Sequence, residues 1–180
     1  PYHCAHRYEL LDILNKAEQK LIFVSTFVDS HGKYTYKRDF VDPILKTILD
    51  KGVHIYFVCL EDNIIKKEYF YTDLKRHLQH FTNKYQNLKI LPLKGILTKT
   101  LIRDDNLLVE GSFNWLRAAR DETSASHKHE ATFLIEGAEA TKLIDNFYQT
   151  EIGKLIKKSL LPENKKRKFE STNIQIEDNN

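Results

Sequence analysis

The chain has 180 residues, enough for one domain with a full hydrophobic core. Apolar residues make up 41% of the chain and charged residues 29%, which is ordinary for a soluble globular protein. A net charge of +3 is compatible with a polyanionic partner but does not require one. A membrane-spanning helix needs about 18 consecutive apolar residues, and no stretch of the chain is that long. No signal peptide is visible. We therefore expect a cytoplasmic protein without a membrane partner.

The cysteines and the two ends of the chain bear on its cellular context. Cys4 and Cys59 are far apart and are interpreted as reduced thiols, with a structural disulfide as the alternative. Because the chain begins at Pro1, we expect it to belong to a longer polypeptide with other domains. Residues 165–168 form a basic run, interpreted as a solvated tail or, in a eukaryote, as a nuclear-import patch.

The first half of the chain alternates between helical and strand patterns. Residues 8–19 place apolar side chains on one side of a helix, and residues 21–28 form an apolar, β-rich run. A second amphipathic helix over 39–51 ends at Gly52, and a second strand over 53–60 follows. This rhythm is typical of a parallel α/β arrangement.

The second half predicts more strands between two long helices. Because Asp104, Asp105 and Asn106 favour a turn, the strands on either side of them form a predicted hairpin. The elements are a helix over 64–85, strands over 88–93, 100–103, 107–110 and 131–135, and a closing helix over 138–158. In the closing helix the inward-facing side chains are Leu143, Ile144, Phe147, Ile152, Leu155 and Ile156.

These elements predict an α/β fold with a mixed, largely parallel sheet and helices on both faces. We expect a single domain over 8–161, preceded by a short segment, 1–7. The polar residues 162–180 are predicted to form a disordered tail.

A spaced set of polar residues lies between the last predicted strands. Lys99 is followed after four residues by Asp104, then after six more by G-S-x-N, with an acid at the start of a later apolar run. This pattern resembles the phospholipase D superfamily motif H-x-K-x4-D-x6-G-S-x-N, with every spacing kept. The family's histidine is replaced here by leucine. The matching positions are Leu97, Lys99, Asp104, Gly111, Ser112, Asn114 and Glu130.

The resemblance implies a phospholipase D-like fold and attack of a histidine on a phosphodiester, without metal or cofactor. By this resemblance Asp104 organises the hairpin and Glu130 orients the histidine. One chain carries one motif and the family's sites need two, so the resemblance implies a homodimer with the copies facing each other across a twofold axis. The alternative is a monomer with a dead or partner-completed site. The implied phosphate-binding residues are Lys99, Gly111, Ser112 and Asn114.

Leu97 cannot attack phosphorus or transfer a proton, so we expect this chain to be inactive. The leucine has three possible origins. It is an engineered inactivation, a natural loss of the catalytic histidine, or a sign that the motif is misaligned and another histidine acts as the nucleophile. The favoured function is a nuclease domain acting on DNA or RNA, inactivated here. The alternatives are a natural pseudoenzyme or regulatory module that binds nucleic acid or phosphate, and, less favoured because no apolar entry surface is apparent, a phospholipid hydrolase.

Other residues near the motif have two interpretations each. His127 and His129 are either replacement imidazoles at the pocket rim or parts of a polar loop. Arg103, Arg117 and Arg120 form either a cationic rim for a nucleic-acid backbone or ordinary surface charge.

Overall fold

The computed structural model describes residues 5–27, 44–116 and 130–160, which contain one six-stranded sheet flanked by helices. The strands are β1 (Lys20–Ser25), β2 (His54–Leu60), β3 (Leu88–Leu93), β4 (Thr100–Arg103), β5 (Leu107–Gly111) and β6 (Thr132–Glu136). The helices are α1 (Ala5–Asn15), α2 (Lys46–Asp50), α3 (Phe70–His77), α4 (Gln79–Lys84), α5 (Ala138–Phe147) and α6 (Glu151–Ser159).

The sheet has a parallel half and an antiparallel half, in the order β3-β2-β1-β4-β5-β6. The pairs β3-β2 and β2-β1 are parallel, whereas β1-β4, β4-β5 and β5-β6 are antiparallel. Four of the six strands, β1, β2, β3 and β5, therefore run in one direction. The predicted mixed α/β sheet is confirmed, although parallel pairs do not outnumber antiparallel ones.

Each face of the sheet has its own hydrophobic core, because alternate residues of a strand point to opposite sides. On one face Phe23, Phe57 and Leu101 pack with residues of α1 to α4. On the other face Ile22 and Val58 pack with residues of α5 and α6. The buried thiol of Cys59 is free, and burial raises its pKa to about 12. Cys4 lies outside the described residues, so the reduced state of the two cysteines stays a prediction.

The helix predicted over 64–85 is wrong in its first third. Asn63 and Glu68 exchange backbone hydrogen bonds of 2.7 and 3.0 Å, which close a tight turn around residues 64–67. The side chain of Asn63 also accepts the N–H of Lys66 at 3.0 Å, and such local bonds compete with helix formation. Helix α3 starts only at Phe70.

The closing helix is two helices, because Thr150 begins a new one. Its hydroxyl accepts the N–H of Gly153 at 3.3 Å, as an N-cap does. Gly153 also allows the two helices to approach, since a Cβ there would lie 2.4 Å from the Cα of Tyr148. Leu143, predicted to face inward, is 36% exposed.

A polar cluster joins β1, the β4-β5 turn and the end of α5. The ammonium group of Lys20 lies 2.5 Å from one carboxylate oxygen of Asp105, and the Tyr148 hydroxyl donates to the other at 2.9 Å. Burial raises the pKa of Tyr148 to about 12. Burial also lowers the pKa of Lys20, but its hydrogen bonds to Asp105 and Tyr148 outweigh this, so that the pKa of Lys20 is raised overall.

Both shifts predict that stability falls in alkali. The unfolded chain loses these protons first, near pH 10 for tyrosine, so the contribution of Tyr148 is present below pH 10 and is lost as pH rises toward about 12. The contribution of Lys20 changes in the same direction. We expect Tyr148→Phe to cost about 1 kcal/mol at neutral pH and to flatten the alkaline loss, as measured by urea unfolding across this pH range. The exposed Tyr69→Phe variant is the control, and equal slopes for both variants would contradict the assignment.

Candidate active site

The β4-β5 hairpin separates the motif residues into two groups. Thr100 pairs with Glu110 at one end, and Arg103 pairs with Leu107 at the other. Lys99 and Ser112 therefore lie at the first end, whereas Asp104 lies about 15 Å away at the second, given about 3.3 Å per residue. The structure brings Lys99, Ser112 and Glu130 to one edge of the sheet and leaves Asp104 out.

Ser112 and Glu130 are in direct contact. The Ser112 hydroxyl donates to the Glu130 carboxylate and accepts the N–H of Ala131 at 3.1 Å. The Ser112 N–H donates in turn to the Ala131 carbonyl at 3.0 Å. Ser112 thus gives Glu130 a hydrogen-bond donor although position 97 carries no histidine. Because a serine hydroxyl has one hydrogen, Ser112 must release Glu130 before it can donate to a phosphate.

Gly111 is required by its neighbouring strand. It pairs with Thr132 of β6, and a Cβ at Gly111 would lie 2.2 Å from the Ala131 carbonyl oxygen. The glycine therefore allows β6 to approach closely enough for Glu130 to reach Ser112. This is a different reason for glycine than the close approach to phosphate implied by the resemblance.

Position 97 is accessible. Leu97 is 78% exposed, and its carbonyl accepts a hydrogen bond of 2.8 Å from the ammonium group of Lys99. Both residues precede β4, so the regular strand begins one residue after the motif lysine. An ammonium group has three donors, and Leu97 takes one of them. Lys99 can thus contact an anion through the other two.

Asn114 is half-buried, and its side-chain oxygen Oδ1 has no hydrogen-bond partner within the described parts of the chain. A buried acceptor without a partner is unusual in proteins. The group that satisfies it must carry an N–H or O–H. A phosphate oxygen would instead be bound by the amide nitrogen.

Asp104 contacts the protein backbone, which gives it a structural role. Its carboxylate accepts the backbone N–H groups of Glu18, Gln19 and Lys20 at 2.9, 2.7 and 2.8 Å. Its own N–H donates to the Lys20 carbonyl at 3.1 Å. These bonds hold the segment before β1 and explain why α1 ends at Asn15 rather than at the predicted residue 19.

A cavity of about 320 Å³ adjoins position 97 on the α5-α6 face of the sheet. The carboxylate of Glu110 lies in its wall and accepts a hydrogen bond of 2.7 Å from Thr100. Sequence reasoning missed Glu110, although a charged residue directly before the motif glycine, in a strand with an apolar pattern, was a usable signal. Leu97 and Glu151 also line this cavity.

Of the other candidate residues, only Arg103 lies within the described parts of the chain. Arg103 is buried at the far end of the hairpin, with a guanidinium nitrogen 3.5 Å from Glu136, and so cannot belong to a cationic rim. Residues 117, 120, 127 and 129 lie outside the described residues. Ranges 5–27, 44–116 and 130–160 contain no cluster of three His, Cys, Asp or Glu side chains suited to a metal. They also contain no helix that is long and apolar enough to cross a bilayer.

The amino-acid sequence of the chain matches a known protein family. The family model described as "Cardiolipin synthase, PLD-like domain" matches residues 10–151. No curated protein matches significantly.

Solved structures share the fold at low sequence identity. NucT from Helicobacter pylori has a TM-score of 0.57 and 19% identity, with 87% of this chain and 91% of that chain covered. Phosphatidylserine synthase from Haemophilus influenzae has a TM-score of 0.50 and 11% identity, covering 93% and 42%. Nuc from Salmonella typhimurium, a phospholipase D family member, has a TM-score of 0.46 and 16% identity, covering 79% and 82%. For NucT and the phosphatidylserine synthase, the likeness concerns the fold alone.

The contacts of Asp104 predict a loss of stability when its carboxylate is removed. We expect Asp104→Ala to lower the free energy of unfolding by about 2 kcal/mol, because three N–H groups lose a charged acceptor. Asp104→Asn should cost less, since asparagine keeps one acceptor and tolerates the positive φ of 50°. Asp12→Asn, in an exposed ion pair with Lys16, is the control. Denaturant unfolding measures all three, and an equal loss for Asp12→Asn and Asp104→Ala would refute the structural role.

Proposed function

Because the chain belongs to the PLD-like domain family of the phospholipase D superfamily, we propose that it holds a phosphodiester, most readily a nucleic-acid backbone, at the Lys99 end of the β4-β5 hairpin. The observation that carries the proposal is the meeting of Lys99, Ser112 and Glu130 at one accessible sheet edge. Lys99 supplies the charge for a phosphate oxygen. Ser112 and Asn114 supply neutral contacts, Ser112 after it exchanges Glu130 for the ligand.

Cleavage requires a nucleophile, and Leu97 occupies its position. An aliphatic side chain offers neither a lone pair nor a proton, so the chain as it stands binds without cleaving. The other motif positions retain their residue types and spacing. The identity of residue 97 therefore decides whether the domain is a phosphodiesterase or a binding module. This holds whether the leucine is engineered or natural.

We further propose that two copies assemble with their pockets facing each other. The motif of one chain supplies one lysine and one position for an imidazole, whereas the reaction needs a nucleophile and a general acid. A twofold axis beside Leu97 supplies the second of each. The exposure of Leu97 supports this arrangement, because its side chain is open to a partner.

Binding is tested with a fluorescent single-stranded oligonucleotide. We expect the chain to bind it, with an affinity that falls as salt rises because phosphate contacts release counterions. Lys99→Gln should weaken binding and reduce the slope of log affinity against log salt by about 1. The control is Lys51→Gln, which removes a lysine before β2, at the opposite end of the sheet. Equal effects of the two substitutions would leave nonspecific charge as the explanation.

Catalysis is tested by Leu97→His. In a dimer this change supplies two imidazoles, and we expect cleavage of DNA, RNA or a model phosphodiester to rise by roughly 10⁴-fold or more over the parent chain. The activity should persist with a metal chelator and should be lost in Leu97→His/Lys99→Gln. Sedimentation equilibrium of both proteins measures the dimer.

The outcomes separate the alternatives. A folded Leu97→His variant that binds the oligonucleotide but cleaves no substrate would leave a binding module. A Leu97→His variant that cleaves phospholipid but no nucleic acid would show that the pocket is that of a lipid hydrolase. A monomer that cleaves would refute the two-copy site.

A further inference from the structure

The turn around residues 64–67, here called the 64–67 turn, carries two isoleucines that are turned toward solvent. Ile64 is 78% exposed and Ile65 is 95% exposed. The turn is closed by the two backbone bonds between Asn63 and Glu68, and by a 3.2 Å bond from the Lys67 N–H to the Ile64 carbonyl. Lys67 has a positive φ of 56°, which a non-glycine residue rarely adopts. The isoleucines are thus presented by a tightly bonded turn.

The 64–67 turn lies at the same edge of the sheet as the candidate active site. It follows β2, so the chain leaves the sheet at the carboxyl ends of the parallel strands. Strand β4 runs antiparallel to β1, with Val24 opposite Thr100, which places Lys99 at this same edge. Only β1 separates β2 from β4, a lateral distance of about 10 Å at about 4.8 Å per strand. The turn and the pocket therefore lie side by side at the same ends of the strands.

Within residues 64–67 the charged side chains are two lysines, which favour an anionic surface. Lys66 and Lys67 are exposed, and neither forms an ion pair with any described residue. Three acids, Glu61, Asp62 and Glu68, flank the turn outside these four residues. The carboxylate of Asp62 accepts the Thr72 N–H at 3.1 Å, and Glu61 lies 3.8 Å from Lys94. Glu68 is half-buried.

We propose that the 64–67 turn docks the domain on an anionic phospholipid membrane, with Ile64 and Ile65 entering the interface and the two lysines contacting headgroups. Aliphatic side chains next to lysines match a bilayer, which offers an apolar phase beneath negative charge. A nucleic acid offers phosphate to the lysines but buries isoleucine only at a distorted base step. A second copy placed by twofold symmetry over the turn would bring the lysines against their own equivalents. The inference depends neither on residue 97 nor on cleavage.

The experiment is co-sedimentation of the 180-residue chain with vesicles of phosphatidylcholine, with and without phosphatidylglycerol. We expect binding to the anionic vesicles and little to the neutral ones. Ile64→Ser/Ile65→Ser should weaken binding at least about tenfold, because two apolar side chains no longer leave water. Lys66→Gln/Lys67→Gln should weaken it about fivefold for each lysine and remove most of its salt dependence.

Matched controls use residues away from this edge. Leu143→Ser removes an exposed apolar side chain from α5, and Lys16→Gln/Lys51→Gln removes two charges near the start of the parallel strands; both should bind vesicles like the parent chain. Circular dichroism and sedimentation equilibrium verify that each variant keeps its fold and its mass.

Three results would overturn the proposal. The first is no binding to anionic vesicles. The second is equal binding by the parent chain and the isoleucine variant. The third is an isoleucine variant that retains vesicle binding but loses self-association or oligonucleotide binding, which would assign the turn to a second copy or to nucleic acid. Because every arm uses Leu97 protein and measures no cleavage, failure of docking is distinguishable from failure of the phosphodiester site.

Discussion

The carboxylate of Asp104 links parts of the sheet that are 84 to 86 residues apart in the chain. It accepts three N–H groups in and just before the first residue of β1, while the Asp104 N–H donates to the Lys20 carbonyl. The tip of the hairpin is thereby fastened to the first strand, and the antiparallel half of the sheet is set against the parallel half. The position of Lys99 follows from this fastening, because a strand that is fixed at one end and paired along its length has no freedom at the other. A residue about 15 Å from the pocket thus determines where the pocket lies.

The same hairpin is among the best-predicted parts of the chain. Three adjacent turn residues and the apolar runs beside them determine its strands locally, and β4 has the predicted ends. The 64–67 turn was missed because Asn63 acts through hydrogen bonds, which a helical pattern of charges and aromatics does not reveal. The break between α5 and α6 depends on Thr150 and on the tight approach at Gly153, a tertiary contact. The six-stranded order also combines non-local pairings that no window of sequence contains.

The candidate site was predictable only as a set of residues. Spacing relates Lys99 to Ser112 and Asn114, and the family resemblance supplies Glu130. The direct bond between Ser112 and Glu130 depends on β6 lying against Gly111, so it required the fold. This bond gives the site a resting state in which the serine hydrogen is already used. A phosphate that binds here must compete with the Glu130 carboxylate for that hydrogen, whereas Lys99 has donors to spare.

The topology gives the pocket and the 64–67 turn a common orientation. Parallel strands end at one edge, so the connections that follow β2 and β3 leave the sheet where antiparallel β4 begins. The proposed anchoring and phosphate binding do not require a particular residue 97, since both rest on lysines, isoleucines and backbone geometry. Loss of the nucleophile would therefore remove one property of the edge and leave the others under selection. Under these proposals, a chain with leucine at position 97 can keep Lys99, Ser112 and Asn114 at the spacing of the family motif.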